Sequence, residues 1–331
     1  MKHGILHLKG CQQGGAMACR NVLVTGCSSG IGLAVAVRLA KDELKRFRVV
    51  ATMRDLDRRG SLEQAAGNAL NNTLEIKEMD VRSEESIKEC VNSIPQRQVD
   101  VLVNNAGVGM IGPLECQSIG SMQSLFDTNF FGLARVVKEV LPDMKRRQSG
   151  HIVVMSSVMG IQGLLFNDVY SASKFAVEGF CESLAVQAMK FNVKMSLIEP
   201  GPVITEFENK IYEDAANMDL SDTDEETAKI FKQIYLPYSK AIFTALGQTP
   251  QDIAEHTLKV ITSDSPPFRH QTNKLYTPLT ALKQADPSGR LPLDAFYKIT
   301  FQHNRVLNAS LALLRLLHRR SRKEPKLEKP A

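Results

Sequence analysis

The chain has 331 residues, 43% hydrophobic and 23% charged, with a formal net charge of +5, room for one large α/β domain and an appendage. No apolar run approaches the ~18–20 residues of a membrane span, and residues 1–16 lack the apolar core of a secretory signal. Six cysteines at 11, 19, 27, 90, 116 and 181 stand singly, which argues against a zinc site or a disulfide framework and fits a cytoplasmic, unsecreted protein with no metal.

Residues 1–19 read as a disordered leader, with Met17 just ahead of the first strand-like run as an alternative start. Asn21-Val22-Leu23-Val24-Thr25 is short and β-branched. It is followed by Gly26-Cys27-Ser28-Ser29-Gly30-Ile31-Gly32 and a helical pattern through Leu33, Val37 and Leu39. Strand, glycine turn and helix form the context of a dinucleotide site. The glycines let backbone approach a pyrophosphate, and the helix start offers unpaired N–H groups. A glycine turn without a ligand is the plain alternative. Phe47 to Met53 reads as a second strand ending at Arg54, a cation suited to a 2′-phosphate and so to NADP(H), with the Ser29 hydroxyl able to join it. Asp55 points the other way, to a free ribose hydroxyl, and a solvated arginine is the simplest reading of Arg54.

Leu74 to Val81 alternates like a third strand, with Asp80 at its carboxyl end near where an adenine would sit; Ser83 caps a helix over Glu85 to Ile94. Val99 to Val103 is a fourth strand, followed by Asn104-Asn105-Ala106-Gly107, small residues past which a cofactor can run. Ser121 to Arg147 is helical. Within it, Asn129 is either a hydrogen-bonded core amide or an anchor for a water joining Lys174 to solvent. A fifth strand, 151–155, ends at Ser156-Ser157, and a helix over 168–191 carries Tyr170 and Lys174.

Four residues apart, that phenol and ammonium share one helix face. The cation is expected to favour the phenolate and lower a pKa that is ordinarily near ~10. Ser157 would supply a hydroxyl on the far side of the reacting oxygen and complete an acid–base centre. Tyr-x-x-x-Lys alone is common by chance, and a solvated helix face is the bland reading. A sixth strand, Val193 to Ile198, ends in Glu199-Pro200-Gly201-Pro202. The acid-rich run 206–226 reads as part of a mobile lid over about 202–246. Helices follow at 227–246 and 250–262, then a last strand over Phe268 to Tyr276.

After Gln302 eight Lys/Arg and two Glu place +6 in the tail and leave about −1 elsewhere, which argues against a nucleic-acid-binding body. Leucines 307, 311, 314 and 317 form one stripe of a basic helix over 305–323. Such a helix suits an anionic membrane surface, and equally a place against the domain or a partner subunit. The alternation of elements predicts one Rossmann-type, doubly wound parallel sheet with helices on both faces over 20–285, and a helical basic extension over 286–331.

The motifs T-G-x-x-x-G-x-G at 25–32, N-N-A-G at 104–107, Asn129, Ser157, Y-x-x-x-K at 170–174 and P-G at 200–201 occur in this order. Together they resemble the short-chain dehydrogenase/reductase family. The stretches GCSSGIGL, DVLVNNAG, HIVVMSSVMG and FNDVYSASKFAVEGFCESLA are similar to its branch of retinol and estradiol 17β-dehydrogenases. That resemblance implies an NADP(H)-dependent oxidoreductase interconverting retinol and retinal, with all-trans-retinal reduction favoured. A 17β-hydroxysteroid dehydrogenase is the alternative, and a cofactor-binding regulatory protein the non-enzymatic one.

It further implies a catalytic tetrad. Tyr170 exchanges the proton, Ser157 holds the substrate oxygen, and Lys174 lowers the tyrosine pKa and bonds the nicotinamide ribose, with Asn129 as fourth member. Cofactor contacts would come from Gly26, Ser28, Ser29, Gly30, Ile31, Gly32, Arg54, Asp80, Val81, Asn105, Ala106 and Gly107. Tyr170, Lys174, Pro200, Gly201, Val203 and Thr205 complete that set. A retinoid or steroid would meet Ser157, Met159, Tyr170 and Tyr238. Tyr238 and Ile299 stand where the steroid enzyme has a His and a Glu for a far-end hydroxyl, so that group would lose its partners. Met159 would narrow the pocket. Plain core packing is the other reading of Met159 and Ile299. A homodimer through helices near 121–147 and 168–191, and a cytosolic place on or off a membrane, complete the expectation.

Overall fold

Short runs such as Val22-Leu23-Val24 and Val49-Val50-Ala51 are apolar at every position, the pattern of strands covered on both faces. In the computed structural model, which describes residues 19–302, seven such strands lie side by side and all parallel. They are β1 (Arg20–Val24), β2 (Phe47–Met53), β3 (Leu74–Glu78), β4 (Val101–Asn104), β5 (Gly150–Met155), β6 (Val193–Glu199) and β7 (Arg269–Gln271). Their order is β3-β2-β1-β4-β5-β6-β7. The direction of winding reverses between β1 and β4, and there the crevice opens beyond the carboxyl ends.

Twelve α-helices are described: α1 (Gly30–Ala40), α2 (Gly60–Ala66), α3 (Glu84–Asn92), α4 (Ile119–Phe126), α5 (Leu133–Arg147), α6 (Asp168–Met189), α7 (Glu206–Ala216), α8 (Glu225–Lys229), α9 (Leu236–Leu246), α10 (Pro250–Thr262), α11 (Thr277–Ala285) and α12 (Arg290–Tyr297). Alternate strand residues point to opposite faces. Val22 and Val24 join Val35, Leu39 and Ile253 in a core with α1 and α10, whereas Leu23 joins Ile87, Val136 and Val177 in a core with α3, α5 and α6. The doubly wound sheet expected from the alternation is what forms.

Three details differ from the sequence reading. The helix read over 121–147 is interrupted by a π-helical turn, Asp127–Gly132, which turns Asn129 into the interior. Gly132 closes that turn against Val81; a Cβ there would lie 2.8 Å from Val81 Cγ2. The last strand spans three residues rather than all of 268–276, because Asn273 caps a new turn at Lys274–Tyr276. The acid-rich run is mostly helical: α7, the π-helical turn Ile230–Tyr235 and the start of α9 gather around Ile111, Phe166, Ala215 and Phe231, with the Phe166 and Phe231 rings edge to face at 5.0 Å. Its acids lie mostly on the outer side of this cap. The leader and the leucine-striped tail, 1–18 and 303–331, fall outside the described residues.

The glycines differ in what they protect. A Cβ on Gly32 would meet the Gly26 carbonyl and lie 2.5 Å from Asn105 Nδ2, whereas one on the exposed Gly179 of α6 would touch nothing within 4 Å. Gly32→Ala should therefore cost about 1–3 kcal/mol of stability, and Gly179→Ala should add up to about 1 kcal/mol. Denaturant unfolding of the two variants checks the contrast, and an equal response of both would contradict it.

Candidate active site

The site begins where β1 ends. Thr25 is fully buried, and its Oγ1 accepts the N–H groups of Asn105 and Ala106, both at 2.9 Å. Asn105 Nδ2 donates back to the Thr25 carbonyl at 2.9 Å and the Gly26 carbonyl at 3.2 Å. The turns after β1 and β4 are thus stitched together. Gly26 takes a left-handed φ of +72°, and a Cβ on it would lie 2.9 Å from Ala106 Cα, so no other residue fits without displacing backbone. Asn105 and Gly26 build the cradle as well as lining it. Thr25, which organises it, opens the T-G-x-x-x-G-x-G motif but carries no role of its own in the sequence reading; its place at the end of β1, directly before the glycine turn, is the signal for one. At the start of α1 the N-cap Ser29 makes no side-chain cap bond and the first turn holds no acid. The serine hydroxyl and the first amides of α1 are left for a ligand.

At the far end of the cradle Arg54 is exposed and lines the cleft together with Arg58. Asp55, the residue that pointed toward NAD, accepts the Asp57 N–H at 3.0 Å and caps a short turn. Asp80 accepts the Arg82 N–H at 2.9 Å and pairs with its guanidinium. Burial pushes this carboxyl up, but the Arg82 bonds and charge, with Arg54 further off, hold it below the usual range.

The opposite end carries the reactive groups. Ser157 follows β5, and its Oγ accepts the Met159 N–H at 3.1 Å. α6 brings Tyr170 to the same inner end of the cleft, where the Ser157 hydroxyl acts on the phenol. The expected lowering of the phenol by Lys174 is not what forms. Burial pushes the Tyr170 pKa well up, the Glu208 carboxylate pushes it further, and only the Ser157 bond pulls it down. Lys174 Nζ lies 5.8 Å from the Tyr170 ring centre and donates to the Met155 carbonyl at 2.9 Å. Burial lowers the Lys174 pKa to about 8, against an upward pull from Glu178 and Cys181. The cost of desolvating a phenolate there exceeds the benefit of a cation already engaged elsewhere.

Asn129 makes the hydrogen bonds of a core amide. Its Oδ1 accepts the Val108 N–H at 2.8 Å, and its Nδ2 donates to the Val108 carbonyl at 2.9 Å and to Ser173 Oγ at 3.1 Å. Both amide hydrogens are used. Asn129 clamps the loop after β4 to α6 at Ser173, the residue before Lys174.

All the other residues named for cofactor or substrate line one cleft of about 1070 Å³, Met159 and Tyr238 included. Ile299 does not: it is 47% exposed, while Phe296 and Thr300, four residues apart, face the cleft. One residue of helical phase separates Ile299 from that face. The sequence reading also missed Glu208, Tyr212, Tyr235 and Tyr276, which line the substrate side. The only local signal at Glu208 was the Thr205-x-x-Glu208 spacing, which reads as a helix cap. Among the described residues no group of three or more His, Cys, Asp or Glu could hold a metal ion.

The residues present fit a nicotinamide dinucleotide. The glycine turn leaves room where a Cβ would stand, α1 starts uncapped, two arginines stand at the rim, and a Ser–Tyr pair lies at the inner end. The model of the short chain dehydrogenase family matches residues 20–216. The chain is 56% identical to retinol dehydrogenase 8 of Bos taurus over 299 residues, covering 90% of this chain and 96% of that one. It is 44% identical to 17-beta-hydroxysteroid dehydrogenase type 1 of Homo sapiens over 288 residues, 86% and 87% of the two chains. A short chain dehydrogenase/reductase from Burkholderia phymatum in complex with NAD superposes with a TM-score of 0.69 over 83% of this chain and 96% of that one, at 22% identity. Serine dehydrogenase complexed with NADP+ gives 0.62 over 76% and 93%, at 29% identity. Strand order, cradle and the match over most of the sheet agree, and the chain belongs to the short-chain dehydrogenase/reductase family.

Proposed function

We propose that this oxidoreductase interconverts retinol and retinal with NADP(H), and that reduction of all-trans-retinal is its favoured direction. The observation that carries the chemistry is the Ser157–Tyr170 pair at the inner end of a single continuous cleft. The substrate class rests on the 56% identity to retinol dehydrogenase 8 across nearly the whole chain. The wall beyond Tyr170 supports it: Met159, Leu164, Ile211, Ile242, Phe243 and Phe296 give a long apolar lining suited to a polyene. A 17β-hydroxysteroid is the second reading, favoured by the 44% identity to the human steroid enzyme and by the tyrosine hydroxyls along the same wall.

The cofactor supplies or accepts the hydride. This chain's residues do the rest. Ser157 and Tyr170 hold the substrate oxygen, and the phenol gives it a proton on reduction or takes one on oxidation. Burial keeps the phenol protonated, which suits the donor role. Lys174, tied to the end of β5, keeps a positive charge behind the ring. Gly26, Ser29, Arg54, Asp80 and Asn105 would hold the dinucleotide. Arg54 and Arg58 favour a 2′-phosphate, since Asp55 is committed to its cap. The cap over 202–246 would open and close over the substrate. A homodimer through the helices near 121–147 and 168–191, and a cytosolic location at a membrane surface through the basic tail, belong to the same proposal. Leu291, Leu293, Tyr297 and Phe301, exposed just ahead of that tail, support the membrane contact.

Tyr170→Phe should lower turnover about 10²–10⁴-fold with NADPH binding nearly intact, measured by steady-state kinetics and cofactor fluorescence; substantial residual turnover would reject the acid–base assignment. Arg54→Ala with Arg58→Ala should raise the KM for NADPH about tenfold or more and barely change that for NADH. Equal effects would point to NAD(H). A panel of all-trans-retinal and estrone run with both cofactors separates the two substrate readings. Deleting 302–331 should release the protein from anionic liposomes without loss of turnover, and undiminished binding would exclude the tail as anchor.

A further inference from the structure

Ser156 joins β5 to the turn that carries Ser157 and Met159, and it is buried. Backbone bonds hold this strand end to β6: the Ser156 N–H donates to the Ile198 carbonyl at 2.8 Å, and the Val158 N–H donates to the Pro200 carbonyl at 3.0 Å. On the other side stands α6, and there the Ser156 hydroxyl donates to Glu178 Oε1. Glu178 is 4% exposed and lies one helical turn beyond Lys174 and about two beyond Tyr170. Its second oxygen, Oε2, accepts from Arg269 Nη1 of β7, so both oxygens of the carboxylate are engaged. Arg269 also reaches Glu199 Oε1 at 3.2 Å and Glu182 Oε2 at 3.1 Å. The link is closely packed: a Cβ on Gly160 would lie 2.8 Å from both Ser156 Oγ and Glu178 Cγ. A chain of polar contacts thus runs from β7 through Glu178 to the residue next to Ser157. Neither Glu178 nor Arg269 lines the cleft.

We propose that Glu178 is a positioning residue for the reaction: by accepting the Ser156 hydroxyl it fixes the turn that bears Ser157 against the helix that bears Tyr170, and Arg269 in turn fixes Glu178. The two hydroxyls that hold the substrate oxygen come from different elements, so their spacing is only as exact as the contacts between those elements. Lys174 supplies one such contact, from Nζ to the Met155 carbonyl at 2.9 Å, through a flexible four-carbon stem. The Ser156–Glu178 bond is the stiffer of the two. A bond to a buried carboxylate is stronger than one between neutral groups, and a carboxylate locked by a guanidinium on its other oxygen is not free to turn away. A slip of an ångström between reacting groups forfeits much of the rate, because proton and hydride transfer both need close approach. The proposal rests on the Ser157–Tyr170 reading of the chemistry and goes beyond it by naming what holds the two apart at a working distance.

The test compares wild type with Ser156→Ala, Glu178→Gln, the two combined, and Glu182→Gln, using the better of all-trans-retinal and estrone as substrate. It reads kcat per NADPH-binding site, the KM for NADPH, and the isotope effect with NADPH deuterated at the transferred position. Ser156→Ala should lower kcat about ten- to a hundredfold, leave the KM for NADPH unchanged and raise the isotope effect, because the chemical step becomes the slow one. Glu178→Gln should do the same, and the double variant should fall no further than the worse single one, since one link is cut twice. Glu182→Gln removes a largely exposed carboxylate from the same guanidinium without touching Ser156, and should keep the wild-type kcat. Losses that multiply in the double variant, or an equal loss in Glu182→Gln, overturn the proposal. So does a Ser156→Ala enzyme that loses only Tm and keeps its kcat per site, for the link would then be structural alone. Should Glu178→Gln fail to fold, Ser156→Ala and Glu182→Gln decide between them. Retained turnover in Tyr170→Phe would instead overturn the acid–base reading, whatever Ser156→Ala does.

Discussion

The phenol of Tyr170 is half-buried at the inner end of the cleft, and much that is distinctive about the site follows from its partial loss of water. A phenolate there would lose its hydration and gain only one hydroxyl, that of Ser157, in return. The group therefore rests in its neutral, proton-bearing form. Lys174 is buried beside it and anchored to the Met155 carbonyl. Its charge is sustained from behind by Glu178, which is held in turn by Ser156 and Arg269. Arg269 also reaches Glu182 and the fully buried Glu199, so one guanidinium from β7 ties three carboxylates along α6 and β6. A buried charge cluster of this kind loses far more from removal of one member than it gains from its presence. Its value here is to fix β5, β6 and α6 in the register that sets Tyr170 against Ser157.

The cofactor side depends on a different device. One buried hydroxyl, Thr25 Oγ1, accepts two backbone N–H groups from the loop after β4, and one amide, Asn105, returns two bonds to the end of β1. Gly26 and Gly32 are small because this stitch brings backbones together. Asn129 repeats the arrangement a layer further on, joining Val108 to α6. Residues that a motif assigns to ligand binding thus also hold the loops that make a ligand site. The substrate side comes from helices after β6, whose small aromatic cluster around Phe166 and Phe231 is separate from the two cores on the sheet. A wall with its own core can vary among relatives without disturbing the cradle, in line with matches that include both retinol and 17β-hydroxysteroid dehydrogenases.

The strands, the glycine turn and the residues at the carboxyl ends of the strands can be read from the sequence, because period-two burial, glycine spacing and a four-residue helical offset are local properties. Parallel doubly wound topology then forces those strand ends together, so the sequence by itself determined that Gly26, Asn105, Ser157, Tyr170 and Pro200 meet in one crevice. Tertiary structure alone decided what each group does there. The sign of the Tyr170 shift, the engagement of Asp55 in a cap, the core role of Asn129, the outward phase of Ile299 and the diversion of Glu208 from its helix end depend on desolvation and on partners brought from distant parts of the chain. Spacing along the chain carries no measure of how much water a folded environment removes.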